Sequence, residues 1–272
     1  MIALHPDCKC EFGPSGAHQG GCPQYRVASK TPGVKPLTIV DEDVEVAFTE
    51  LVRRIEHTRE VHGDVLQAYH EVWYNAPHTW HYTHFLGVGL MKCPNDLWIY
   101  QAIMSDIRPT VVIETGTYQG GSALWFAFLM EMLGIDGKVY TIDFEDRRRC
   151  SHPKIEFLGG DSTNPELRDA IVEDMPKDGK LLISLDADHS AEHVYKELCL
   201  YAPLCKVGDR LVVEDTNIGW EGEKGDRGAR GGLEDYLREH PGEWQQDILC
   251  ERYLLTMNPG GWLVRVGEYS AS

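Results

Sequence analysis

The sequence lacks any unbroken apolar run of the roughly 18 residues that a membrane-spanning helix needs. Its start, "MIALHPDCKC", has no basic segment leading into an apolar one. No membrane span and no secretory signal are expected, and an intracellular, cytoplasmic protein is the default. Positive charge is also scarce: 26 Lys and Arg stand against 43 Asp and Glu, a formal net charge of −17. A broad nucleic-acid surface needs a basic balance, so no nucleic-acid partner is expected, while cations remain compatible ligands. The dinucleotide fingerprint G-x-G-x-x-G is absent too, which weakens a pyrophosphate site. There is no long internal repeat.

What is present is ordinary in bulk. The 272 residues are 42% apolar and 25% charged, as in a globular protein of one sizeable domain plus an extension. Three regions differ in texture. Residues 1–36 are rich in Gly, Pro and Cys and show no periodicity, which reads as an irregular arm. Cys8, Cys10 and Cys22, with His5 and His18 nearby, are candidate ligands for a structural zinc ion, although the C-x-C spacing is tighter than usual; a simple Gly-rich arm is the competing reading. The other five cysteines are scattered and suit a reducing compartment.

Residues 37–108 form a second region, a helical extension with an acceptor-side loop. A helix is expected over 41–72, with Asp41 as its cap and Val44, Phe48, Leu51, Val52 and Ile55 on one face. The aromatic and His-rich segment 73–95 reads as a loop, and a further helix over about 96–107 ends before Pro109. From residue 109 to 272 the pattern alternates between strand and helix. Strands are expected at "TVVIET", "KVYTIDF", "IEFLGG", "KLLISLD" and "DRLVVEDT", then at about 247–256 and 262–266. Helices fall at "GSALWFAFLMEML", at "NPELRDAIVEDM" with Asn164 as cap and Pro165 at the first position, at "SAEHVYKELCLYAPLC", and at "LEDYLREH". This alternation calls for a mainly parallel, doubly wound sheet with helices on both faces. The stretch "GWEGEKGDRGARGG" reads as a mobile loop over a site.

The strands end on acids: Glu114, Asp143, Asp186, and the pair Glu214 and Asp215, with Asp161 after the short strand. Ligands of such sheets bind outside the carboxyl ends of the strands, so these acids converge on one crevice. The turn "ETGTYQGGS" brings Gly116, Gly120 and Gly121 between strand and helix, where backbone can approach a ligand. Asp143, on the next strand, can accept both hydroxyls of a ribose. Asp186 or Asp188 with Glu214 and Asp215 are hard oxygen donors suited to Mg²⁺, Mn²⁺ or Ca²⁺. Competing readings are an ordinary glycine turn and a solvated acidic rim. "HSAEH" also matches a zinc-peptidase pattern, and His189, His193 and Asp188 could form an iron triad; no third zinc ligand is evident.

"KCPNDLWIYQAIMSDIRPTVVIETGTYQGGSAL", "GGDST", "SLDADHSAEHVYKELCLYAPLCKVGDRLVVEDT" and "NPGGWLVRV" together resemble the cephalosporin-hydroxylase-like family over about residues 80–266. That family resembles S-adenosylmethionine-dependent O-methyltransferases, including sugar and rhamnosyl O-methyltransferases. The resemblance implies a Rossmann-like methyltransferase fold that binds the donor at Glu114, Gly116, Thr117, Tyr118, Gly120, Gly121 and Ser122. Asp143 would take the ribose, and Asp161 and Ser162 would lie near the adenine. It also implies metal ligands among Asp186, Asp188, Glu214 and Asp215, and it favours a homo-oligomer. His189 is the expected general base beside Asp186, with helix capping as its competing role. The acceptor would be a hydroxyl of a sugar or other small molecule, met by Trp80, Tyr82 and Trp220. An NAD-dependent oxidoreductase, an iron hydroxylase and a non-catalytic binding protein are the alternatives.

Overall fold

A computed structural model describes residues 42–218 and 227–268 of the chain. Contacts divide the chain into two units, Met1–Val44 and Glu45–Ser272, and the sheet and its flanking helices belong to the second. Cys8, Cys10, Cys22, Asp41 and Trp220 lie outside the described residues.

The first central strand is apolar on both faces for a physical reason: helices cover both sides of it. β3 (Val111–Thr115) and β6 (Leu181–Leu185) are buried at every position, as expected of parallel strands with two covered faces. β4 (Lys138–Asp143) and β5 (Ile155–Gly159) extend the sheet on one side of β3, all parallel. β7 (Arg210–Val213) pairs parallel with β6 on the other side. β9 (Trp262–Arg265) then pairs antiparallel with β7, and β8 (Trp244–Gln246) antiparallel with β9. The order is β5-β4-β3-β6-β7-β9-β8, so the chain reverses its direction of winding between β3 and β6. A switch point of this kind opens a crevice at the carboxyl ends of the two strands.

Two cores fill the sheet's faces. On one, α2 (Pro94–Ile107) and α3 (Gly121–Leu133) bury Tyr100, Met104, Phe126 and Met130 against Val112, Val139 and Leu182. On the other, α5 (Ala191–Tyr201) and α6 (Gly228–Glu239) bury Val194, Leu198, Leu233 and Tyr236 against Ile113, Ile183 and Leu211. α4 (Pro165–Asp174) starts as its sequence predicts, with the Asn164 side chain accepting the Glu166 N–H and Pro165 in the first turn. α1 spans Glu42–Asn75 with non-helical geometry at His62. Of its expected apolar face, Ile55 is buried and Leu51 is exposed. Among the described residues no helix is long and apolar enough to cross a membrane.

The structure departs from expectation in three places. The strand expected over 247–256 is instead the short β8 followed by a 3₁₀ turn at Ile248–Glu251. The Asp247 side chain accepts the Leu249 N–H and pulls the backbone out of strand geometry. The last long helix begins at Gly228 rather than Leu233, inside what reads as glycine-rich loop. Packing overrides propensity there: a Cβ on Gly232 would lie 2.4 Å from the Ala191 carbonyl, so glycine lets α6 lie close on α5. The 73–95 segment carries a small hairpin, β1 (His84–Phe85) and β2 (Val88–Gly89), whose backbone would lie 2.5 Å from a Cβ on Gly121.

Candidate active site

The glycine turn is built by contact with the neighbouring loop. Gly116 has φ +86°, and a Cβ on it would lie 1.9 Å from the Asp186 carbonyl oxygen. Only glycine lets the turns after β3 and β6 meet. Asp143, the last residue of β4, then ties the turn down. Its Oδ2 accepts the Tyr118 N–H at 2.7 Å and its Oδ1 accepts the Glu145 N–H at 2.9 Å. Gly116, Asp143, Asp161 and Ser162 line a cavity of about 290 Å³. A neighbouring cavity of about 410 Å³ shares Gly116 and Asp143 and adds Thr117, Tyr118, Ser122, Asp186, His189 and Asp215. Gly120 and Gly121 shape the turn but do not line these cavities.

Glu114 lies beneath this floor. It is fully buried, and its Oε2 accepts the Thr141 hydroxyl at 2.7 Å. Burial pushes its carboxyl up to about 7, against the pull of Lys92 and of the Ser122 and Thr141 hydroxyls. Thr117 bonds the same Thr141 hydroxyl at 2.7 Å. At the far end of the groove Asp161 accepts the Thr163 hydroxyl at 2.7 Å and the Thr163 N–H at 2.8 Å, which together hold its carboxyl low. Ser162 is buried and lies 3.0 Å from His193 Nε2.

The acids after β6 and β7 divide into two sets. Asp186, His189 and Asp215 each offer a ligand atom, and the three atoms lie within 4.8 Å of one another. His189 Nε2 is 3.0 Å from Asp215 Oδ2. Asp215 occupies the left-handed region at φ 55°, with its N–H held by Asn258 Oδ1 at 3.0 Å. Glu214, one residue earlier, turns the other way into the core. Its Oε1 receives Lys92 Nζ at 2.5 Å, the Tyr100 hydroxyl at 2.6 Å and the Ser184 hydroxyl at 2.6 Å. Asp188 is exposed, and its Oδ1 accepts the Ser190 N–H at 2.8 Å in the turn that leads into α5. His193 faces Ser162 and Glu197 rather than His189, so neither the zinc-peptidase pattern nor the His189–His193–Asp188 triad is assembled.

Lys92 is the residue that sequence reasoning missed. It is 1% exposed, and its ammonium lies between Glu214 and Asp186 Oδ2, the latter at 2.7 Å. Burial alone would lower its pKa, but the surrounding carboxylates outweigh burial and raise it. Burial likewise raises Asp186 well above the usual carboxylate range, with Glu214 and Asp215 adding to the shift against Lys92. Asp215 is pushed up to about 6 by burial, partly opposed by His189. Burial would raise Glu214 as well, yet Lys92 and the two hydroxyls bring it below its ordinary value.

Of the aromatics, Trp80 lines the larger cavity and stacks on Tyr74, ring centroids 5.2 Å apart. Tyr82 is 59% exposed and does not line it.

A switch-point crevice lined by a glycine turn, a strand-end Asp and a cluster of acids defines a Rossmann-like methyltransferase fold. Solved structures described as "cmcI-D160 Mg-SAM" and "cmcI-N160 SAH" share that fold with TM-scores of 0.56 and 0.54, at 23% and 22% identity. Both matches cover 72% of this chain, and 84% and 91% of theirs. The family model for rhamnosyl O-methyltransferase/CmcI matches residues 77–266. The rhamnosyl O-methyltransferase of Mycobacterium tuberculosis (strain ATCC 25618 / H37Rv) is 37% identical over 211 residues, 74% of this chain and 85% of the relative. That of Mycobacterium leprae (strain TN) is 34% identical over 210 residues, 74% and 90% respectively. The chain belongs to the rhamnosyl O-methyltransferase/CmcI family, and so to the S-adenosylmethionine-dependent O-methyltransferases.

Proposed function

We propose that the protein moves the methyl group of S-adenosylmethionine onto a hydroxyl of a sugar or similar small molecule, assisted by a divalent ion, Mg²⁺ by preference. One observation carries this reading: the Asp186–His189–Asp215 group and the Gly116–Asp143 turn open onto the same cavity. The donor set suits such an ion. Two carboxylates offer hard oxygens, a third acid stands behind them, and they share the Lys92 ammonium, so negative charge remains in excess. Asp186 and Asp215 would hold the ion, with Glu214 fixing the inner side of the site. When bound, the ion offsets their charge and eases ionisation of a nearby hydroxyl.

The chain's own residues do the rest. The Gly116–Ser122 turn and Asp143 hold the donor's methionine and ribose parts, and Asp161 and Ser162 border its adenine end. The acceptor's oxygen attacks the methyl carbon, the sulfonium leaves as thioether, and His189 takes the acceptor's proton. Asp215 fixes the imidazole ring for that task. Closing the reactants into one geometry supplies much of the acceleration. A homo-oligomer is supported by the exposed apolar residues Val61, Val65, Tyr69 and Val72 of α1, spaced as a helix–helix seam requires. Among the described residues Cys93, Cys150, Cys199, Cys205 and Cys250 are free thiols, which fits a reducing, cytoplasmic setting.

The test is metal removal. Chelator should abolish methyl transfer to a sugar acceptor, and Mg²⁺ or Mn²⁺ should restore it. Asp215→Ala should lose the ion in a metal titration yet bind S-adenosylhomocysteine by calorimetry, because the donor rests on the other half of the sheet. Full activity in chelator refutes the role of the ion.

A further inference from the structure

A second cavity, of about 570 Å³, lies between α1 and the segment from β8 to β9. It is the size of ordinary ligand pockets. It is separate from the groove already described but shares a wall with it. His70 stacks on Tyr74 with centroids 5.8 Å apart, and Tyr74 lines the active-site cavity while His70 lines this one. Asn217, two residues after Asp215, completes the wall, with Nδ2 3.0 Å from His70 Nε2.

The lining specifies a chemistry. Its guanidinium groups are already engaged: Arg59 is paired with Glu251, and Arg230 donates to the carbonyls of Thr216 and Pro259. An anionic ligand therefore meets guanidinium groups that are already engaged, and Asp64 in the lining disfavours it further. Amides remain, from Gln67, Gln246 and Asn217, and amides offer donor and acceptor together, which matches hydroxyls. Leu66, Ile248 and Leu254 add apolar surface for the C–H face of a ring.

We propose that this cavity is a second acceptor subsite, which holds an uncharged pyranose joined to the sugar being methylated. The proposal rests on the reading of a sugar acceptor and extends it from a single ring to a glycoside of at least two. The reacting hydroxyl lies by Asp186 and Asp215, and the neighbouring ring lies beyond His70, Tyr74 and Asn217, whose side chains must part for the glycosidic link.

The experiment compares two probes, methyl α-L-rhamnopyranoside and the methyl glycoside of a rhamnosyl-rhamnose disaccharide, on the full chain with Mg²⁺ and S-adenosylmethionine. The disaccharide should have a kcat/KM at least tenfold higher. Leu66→Trp, which fills the cavity, and Gln246→Leu, which removes an amide, should bring the ratio of the two substrates close to one, with folding checked by thermal melts. Saturation-transfer NMR on protein loaded with S-adenosylhomocysteine should show contact with both rings in the wild type and loss of contact with the second ring in Leu66→Trp. Equal kcat/KM for both probes, or second-ring contact unchanged in Leu66→Trp, overturns the subsite. Turnover of the monosaccharide with no preference leaves the methyltransferase reading standing and removes only the subsite. Absence of both turnover and NMR contact with either probe removes both.

Discussion

Replacing Lys92 by Met keeps the aliphatic stem and deletes the ammonium, and it should unbalance the whole acid cluster. In the wild type Nζ lies between Glu214 and Asp186, and Glu214 Oε1 also holds the Tyr100 and Ser184 hydroxyls. Removing one partner from a buried ion pair costs about 3–5 kcal/mol, because the other charge is left uncompensated. At about 2–4 °C per kcal/mol for a chain of this size, the melting temperature in chelator should fall by roughly 6–20 °C. The loss has a sign with pH. Lys92 and the hydroxyls hold Glu214 below its ordinary value, so Glu214 contributes stability above the unfolded carboxyl pKa and loses it as pH falls through its folded value. The deficit of Lys92→Met should therefore be full at pH 7–8 and shrink toward acid. A divalent ion should make up part of it: at a hundred times its dissociation constant, an ion binding only the folded state adds about 2.7 kcal/mol. Because the ion then carries charge that Lys92 no longer supplies, Mg²⁺ should raise the melting temperature of the variant more than that of the wild type. Scanning calorimetry at pH 5 and pH 8, in chelator and in Mg²⁺, reads all four values. A melting temperature within about 2 °C of the wild type at pH 8 in chelator would refute the electrostatic account, given the size of the effect expected.

Three further outcomes can be measured directly. Gly116→Ala should cost at least about 3 kcal/mol in urea melts, combining strain at positive φ with the clash on the Asp186 carbonyl, whereas Gly87→Ala, with similar φ and open space around it, should cost only about 1–2 kcal/mol; equal losses would refute the close-approach argument. Asp143→Ala should weaken S-adenosylhomocysteine at least tenfold, about 1.4 kcal/mol, by calorimetry, and an unchanged affinity would remove Asp143 from the ribose site. Burial pushes Asp96 up to about 8, so the folded state keeps a proton that the unfolded state releases, and stability should fall as pH rises from about 4 through 8. Asp96→Asn should flatten that slope in urea midpoints, and an identical slope would assign the dependence elsewhere.

The sheet was legible because its signals are local. A continuous apolar run such as "LLISL" followed by an acid marks a doubly covered strand and its mouth, and Asn164–Pro165 marks a helix start whatever the tertiary context. The glycine turn was legible for the same reason. The inner half of the candidate site was not. Lys92 meets Asp186 and Glu214 across 94 and 122 residues of sequence, and a lone lysine carries no periodic signal that it will be buried. The "DAD" run offered two acids, with the choice leaning to Asp186 because it ends the strand; the fold shows Asp186 beside His189 and Asp215 and Asp188 held in the turn before α5 by the Ser190 N–H. The false strand at 247–256 had apolar residues enough, but the reading gave no weight to an Asp side chain competing for backbone N–H groups.

The position of β9 has a consequence for the order in which the chain can acquire its activity. β9 follows the sheet's other strands in sequence among the described residues, yet it inserts between β7 and β8, and the segment leading into it anchors the acid pair: Gly261 accepts the Val213 N–H at 2.9 Å, and Asn258 holds the Asp215 N–H. While the nascent chain emerges, β7 can pair with β6 but leaves its other edge, with Leu211 and Val213, unpaired. Such an edge is a template for pairing with other chains. The half of the crevice built from β3, β4 and β6, proposed to hold the donor, has all its strands before that, while the acids after β7 gain the Asn258 contact only once the segment leading into β9 is in place. A nascent chain stalled before β9 would thus hold the proposed donor turn without the acid pair beside it, and an open strand edge exposed to its neighbours on the same message.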